Sequence, residues 1–330
     1  MNISIEDFGK SRKGEQVLNY IIDTGFYKLE ILNFGCTIKS LKYPDKEGII
    51  EDVVLGFDKI EDYDKDIPSY FGCIVGRIAG RTKNGILKIE NKNYELTKND
   101  GNNNLHGGIN GLHNRVWESS YENYGDKIEL IFKTYSNHLE EGFPGNVEFI
   151  VKYIVEKESL TLDYLGIPDR DTYMNLTNHV YFNLSGNFKE NIYEQELKFN
   201  ALGYYLVDRN TLPVKLITED EIFNKDKGIF LGKARETNSE QLKIVGDGYD
   251  HPFLLSKEKD IEYILSEFTK KLFIVTLLMY CLVGVLIFIY FDYYLFGLLI
   301  ISLVSIFPNI LTFVSSSYLQ HKQRFKVQSL

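Results

Sequence analysis

From Ile3 to about Leu255 the apolar residues fall in short strand-like runs broken by turn residues, and no stretch carries a convincing amphipathic-helix pattern. Tyr27–Leu32, Val53–Leu55, Lys127–Phe132, Val147–Val155 and Leu160–Leu165 read as strands. Lys88–Leu96, interrupted by Asn91-Lys92-Asn93, reads as a hairpin, and Asp45-Lys46-Glu47-Gly48 as a turn. Many short, regularly punctuated strands predict an all-β protein, a sandwich or a barrel. No fixed-period repeat of the solenoid kind is present.

The pattern changes sharply after Glu267. Lys270 and Lys271 precede Leu272–Phe291, an uncharged run of the length a membrane helix needs. Asp292, Tyr293 and Tyr294 form a short polar-aromatic break, and Leu295–Val314 is a second uncharged run, interrupted by Pro308 and Asn309. The tail from Ser315 carries His321, Lys322, Arg324 and Lys326. Basic residues flank the outer ends of both runs, which predicts a transmembrane two-helix hairpin over 272–314 with both ends, and the β-domain, on the cytoplasmic side. The alternative is a pair of buried helices in a soluble domain. The expected organisation is a β-domain over 1–258, a juxtamembrane linker over 259–271, the hairpin in the lipid bilayer, and a basic cytoplasmic tail over 315–330.

Composition narrows the picture. The chain has 330 residues, enough for one large or two ordinary domains. Its 23 Tyr, 22 Phe and 26 Gly against 7 Pro suit a sheet-rich protein. The net charge of −9, with no basic cluster before residue 258, argues against a nucleic-acid partner. Cys36, Cys73 and Cys281 are scattered, which argues against a disulfide framework or a cysteine metal site and fits a reducing compartment. Met1–Gln16 is polar, so no signal peptide is visible there.

The chemistry centres on Asn175–Leu184, whose β-branched and aromatic content predicts a strand. Alternation would put Asn175, Thr177, His179, Tyr181 and Asn183 on one face, which fits a wet concave surface better than a core. A histidine there can exchange a proton near neutral pH. Taken singly, His179 could merely close a strand hydrogen bond, His106 could belong to a glycine turn, and Asp250 could be a turn residue before His251-Pro252. Trp117 and His251 read as structural, and His113 and His138 as solvated. No histidine pair has metal-ligand spacing with a third ligand in view, so no metal is expected.

Several motifs follow one another: Leu55-Gly56-Phe57-Asp58, Tyr70-Phe71-Gly72, Gly76-Arg77-Ile78-Ala79-Gly80-Arg81, Asn104-Leu105-His106-Gly107-Gly108 and Trp117. Glu141-Gly142-Phe143-Pro144-Gly145-Asn146, Asn175–Leu184 and Gly248-Tyr249-Asp250-His251-Pro252-Phe253 complete the series. In this order they resemble the aldose 1-epimerase, or galactose mutarotase, family over residues 1 to about 258. The resemblance implies a large antiparallel β-sandwich with a sugar site on its concave face. The implied reaction interconverts α and β anomers of an aldohexose by acid/base ring opening, with no cofactor. It casts His179 as general acid and His106 as a hydrogen-bonding assistant near the ring oxygen. Arg81 and Asp250 would hold sugar hydroxyls, and Tyr181 would line the site. Of Arg77 and Arg81, one is expected to be structural. The family usually has Asn before the second arginine; here it is Gly80.

The family motifs end early. The implied general base is a glutamate on strands beyond the Asp-His motif, and no counterpart is assigned; Glu262 and Glu267 sit in no matching motif. The expected sandwich is therefore incomplete, with unpaired edges that a partner chain could fill. The expected activity is impaired, with a membrane-tethered sugar-binding module or a non-functional truncated fusion as alternatives.

Overall fold

A computed structural model describes residues 1–256, apart from 199, 221 and 223–228. The expected linker, transmembrane hairpin and basic tail lie outside the described residues. Among the described residues no helix is long and apolar enough to cross a membrane.

Strand Val147–Glu156 shows how the chain builds its core. Val147, Phe149, Val151, Tyr153 and Val155 are buried, and the residues between them are partly exposed. It pairs antiparallel with Lys127–Ser136 on one side and Leu160–Pro168 on the other, in unbroken register. Glu118–Asn123 completes this four-stranded meander. A five-stranded meander precedes it, formed by Asn2–Lys10, Gln16–Asp23, Lys28–Leu32, Thr37–Pro44 and Ile50–Asp52.

The apolar faces of these sheets share one core. Tyr20, Ile22, Leu29 and Ile31 come from the first, and Leu130, Phe132, Phe149 and Tyr153 from the second. Full burial of such side chains stabilises by ~1.5–3 kcal/mol each. Tyrosines bring polar tips into that interface, and each finds a partner. Tyr20 Oη lies 2.7 Å from Ser119 Oγ, Tyr27 Oη donates to the Ser159 carbonyl at 2.7 Å, and Tyr153 Oη to the Cys36 carbonyl at 2.6 Å. Trp117 is core, as expected, with its indole N–H on the Leu112 carbonyl at 3.0 Å. This is the predicted all-β sandwich. Helix among the described residues is confined to short segments such as Ile60–Tyr63 and Glu240–Ile244. A smaller sheet orders Pro213–Ile217, Ala201–Val207 and Phe253–Leu255.

Two local expectations shift. Val53–Leu55 is not a regular strand: the ladder ends at Asp52, whose carboxylate accepts the Val54 N–H at 3.2 Å, and Val54 keeps only an isolated bridge to Phe182. The hairpin's strands are Ile86–Ile89 and Lys92–Glu95, so Lys92 and Asn93 belong to a strand. Pairing of Ile89 with Lys92 leaves Glu90 and Asn91 as the loop, and Glu90 takes the positive φ of 51°.

Candidate active site

Asn175–Leu184 is an extended ribbon rather than one strand. Only Thr177–Asn178 forms a ladder, against Ile74–Val75. The ribbon changes partner every few residues: Asn175 pairs with Arg77 and Ala79, His179 with Gly72 and Cys73, Tyr181 with Leu55, and Asn183 with Val53. His179 is held from both sides of its backbone, its N–H on the Cys73 carbonyl at 2.8 Å and its carbonyl accepting the Gly72 N–H at 3.0 Å. The expected shared face is only partly present. His179 and Tyr181 lie side by side with ring centroids 5.2 Å apart, but Asn183 is buried and bonded to the Glu190 carbonyl, Ser185 and Gln195.

His106 arrives on a second short ladder, Asn104–Leu105 against Arg81–Thr82. Its N–H donates to the Gly80 carbonyl at 3.0 Å, and its Nδ1 accepts the Gly80 N–H at 3.1 Å. The next residue must be glycine. Gly107 has φ +87°, and a Cβ there would lie 1.9 Å from the Gly76 carbonyl oxygen. Glu141 then holds the loop, accepting the backbone N–H groups of Ile109 at 3.1 Å and Asn110 at 2.9 Å.

The two imidazoles meet edge to face, with centroids 5.0 Å apart and planes at 89°. Burial, with His179, His113 and Arg81 nearby, pushes His106 down to about 3. Burial also lowers His179, opposed by the negative charge of Asp250. Both rings are therefore predominantly neutral at pH 7. Tyr181 is 41% exposed, its hydroxyl raised by partial desolvation and by the same Asp250 charge. Asp250 is itself exposed, and its field reaches both residues of the ribbon.

The arginines divide cleanly. Arg77 is buried, donating to Ser136, to the Pro144 carbonyl at 2.9 Å and to the Asn137 carbonyl at 2.9 Å; it is the structural one. Its partners are a hydroxyl and carbonyls, and burial lowers it to about 10. Arg81 is partly exposed and pairs through Nε with Asp100 at 2.6 Å.

The expected site residues His106, His179 and Tyr181 thus share one neighbourhood, with the charges of Arg81 and Asp250 bearing on its imidazoles. Sequence reasoning missed Tyr70, whose ring centroid lies 4.8 Å from that of His106 and 5.7 Å from that of His179. It also missed Asp100 and Glu141, although Tyr70 and Glu141 stood inside quoted motifs. His113 corrects an expectation: it is 4% exposed rather than solvated, packed 4.8 Å from the Tyr70 ring and pushed by burial to about 3. His138 is exposed, and its Nδ1 accepts the Gly145 N–H at 2.8 Å. His251 is buried edge-on against Tyr204. Among the described residues, no three His, Cys, Asp or Glu side chains cluster as a metal site.

Comparison with known proteins identifies relatives of the chain. A family profile described as aldose 1-epimerase matches residues 19–277, running past residue 258 where the motif reading stops. A galactose mutarotase of Bos taurus is 36% identical over 236 residues, 70% of this chain and 66% of that protein. An aldose 1-epimerase of Escherichia coli (strain K12) is 29% identical over 234 residues, 70% of this chain and 65% of that protein. The chain therefore spans just under two thirds of the length of these relatives. Among solved structures, a galactose 1-epimerase from Lactobacillus acidophilus NCFM superposes with TM-score 0.69 at 26% identity, covering 78% of this chain and 75% of that one. An aldose epimerase homologue from C. elegans gives TM-score 0.59 at 28% identity, covering 78% and 72%. With its sandwich, its ordered motifs and this extent of match, the chain belongs to the aldose 1-epimerase family.

Proposed function

We propose that the chain interconverts the α and β anomers of a hexose such as galactose or glucose. The observation that carries this reading is the edge-to-face pair of His106 and His179, set beside Tyr181 and within the fields of Arg81 and Asp250. His179 protonates the ring oxygen as the bond from it to C1 breaks, and the C1 hydroxyl proton leaves to a base, giving the open aldehyde. Rotation about C1–C2 and the reverse proton transfers close the ring on the other face. Burial makes the His179 imidazolium a stronger acid, while the charge of Asp250 keeps more of it populated. His106 assists at the ring oxygen, Arg81 and Asp250 hold hydroxyls, and Tyr181 forms a wall.

Among the described residues, Asp250 is the one carboxylate whose charge bears on His179. With no family glutamate assigned, water takes the C1 proton and turnover is impaired. The same observation favours a second reading, a sugar-binding module without turnover. Polarimetry of freshly dissolved α-galactose and α-glucose with the full chain separates the two. Mutarotation above the buffer rate, lost in His179→Ala, supports the enzyme; saturable calorimetric binding without it supports the module. The uncharged runs over 272–314 support a further proposal, that the chain is anchored in a membrane with the β-domain on the cytoplasmic side. Flotation with lipid vesicles tests the anchor, and a chain that stays in the dense fraction rules it out.

A further inference from the structure

We propose that Tyr70 is a positioning residue that sets the spacing and angle of the His106 and His179 imidazoles, with His113 packed against the same ring as its support. The inference rests on the anomerase reading of the site. His106 and His179 hang from different backbone: His106 is clamped to Gly80, His179 to Gly72 and Cys73. Nothing in the ladders themselves fixes one ring against the other. The Tyr70 ring packs against both, with centroid distances of 4.8 Å to His106, 4.8 Å to His113 and 5.7 Å to His179.

The chain holds Tyr70 there in a conformation it does not favour. Its φ is +59°, in the left-handed region, and His106 opposite has φ +53°. The Tyr70 carbonyl accepts the Cys73 N–H at 3.3 Å and the Cys73 thiol at 3.2 Å, which ties the turn to the segment that also grips His179. Gly72 inside the turn is obligatory, because a Cβ would lie 2.1 Å from the Ile38 carbonyl oxygen. His113 lines a pocket behind the turn with Phe34, Thr37, Cys73 and Phe71, and its Nδ1 is buried without a hydrogen-bond partner. That face of the ring packs against Tyr70.

The test uses the full chain, with Tyr70→Leu and Tyr70→Phe compared by polarimetry and by NMR titration of the imidazoles without sugar. His179 faces the charge of Asp250 and the rings of His106 and Tyr181, the charge of His179 reaches His113, and Arg81 bears on His106; none of these is altered. A misplacement of about 1 Å lowers turnover by up to ~100-fold. Tyr70→Leu is expected to lower kcat about tenfold or more with KM within about twofold. It should also move the His179 midpoint towards the ordinary histidine value as water enters. Tyr70→Phe, which keeps the ring, should restore both. If Tyr70→Leu does not fold, Tyr70→Met carries the test, keeping apolar volume without a flat face. Leu and Phe variants that behave alike overturn the proposal, as does an unmoved His179 midpoint. The titration needs no turnover, so a chain without mutarotation whose midpoint still moves sinks the anomerase reading and leaves the positioning role standing.

Discussion

The strand Val147–Glu156 and the ribbon Asn175–Leu184 have equal length and extended backbone but opposite construction. The first has one neighbour on each side for its whole length, and every second residue points into the core. The second trades partners three times and forms a ladder of only two residues. Regular pairing fixes which face of a strand is buried, and so favours a dry interior. Broken pairing lets neighbouring residues aim in unrelated directions, which is how His179 sits among the rings of Tyr70, His106 and Tyr181 while Asn183 sits bonded inside. In this molecule the core is built by the meanders, while the candidate site residues sit on short ladders joined by left-handed residues.

That separation can be broken by substitution. His179→Ala should lower the enzyme-dependent mutarotation rate by ~10²–10⁴-fold by polarimetry, while leaving the urea midpoint close to that of the parent chain. A large loss of stability instead would show that the ribbon is part of the scaffold. Phe149→Ala, in the regular sheet, should do the reverse. It should destabilise by ~3–5 kcal/mol in urea unfolding and leave the rate per folded molecule unchanged.

Acid sharpens the contrast. Buried His113 is held down to about 3, against an ordinary value of about 6.5. Below that ordinary value the unfolded chain takes a proton that the folded chain refuses. Stability is therefore complete above about pH 6.5 and is lost as pH falls towards 3. Between pH 6.5 and 5, above the carboxylate range, His113 and His106 should each remove about 2 kcal/mol, so His113→Asn should make that part of the profile shallower without abolishing its slope. An unchanged slope would show that another group sets it. The smallest effect is expected at the rim: Asp100→Asn should change stability by less than about 1 kcal/mol and raise the sugar KM several-fold, because Arg81 loses the partner that aims it. A KM that stays put would remove Arg81 from the binding surface.

The same division explains what could be read before coordinates. Val147–Val155 and Lys127–Phe132 were legible because two-residue periodicity survives wherever both edges are paired. Val53–Leu55 misled because apolar, β-branched residues look alike in a ladder and beside one, and the carboxylate of Asp52 that ends the pairing acts locally. His106, Arg81, His179, Tyr181 and Asp250 were singled out through ordered motifs, not through periodicity. Tyr70 and Asp100 escaped because their importance lies in contacts across the fold, to His179 and Arg81, that no local pattern records. His113 escaped for a related reason: its neighbours in sequence, Asn114 and Arg115, suggest a solvated turn, while the ring itself turns inward against Tyr70.

The reciprocal bonds between Gly80 and His106 carry a consequence for how two identical rings divide their work. With the Gly80 amide occupying the lone pair on Nδ1, the neutral ring must carry its hydrogen on Nε2. His106 is thereby locked into one tautomer and can offer that hydrogen but has no second lone pair with which to collect one. His179 is held differently: Gly72 and Cys73 grip its main chain, and a hydrogen bond of the ring to its own backbone favours the charged form. A single backbone N–H, that of Gly80, is what fixes the tautomer of one ring of the pair.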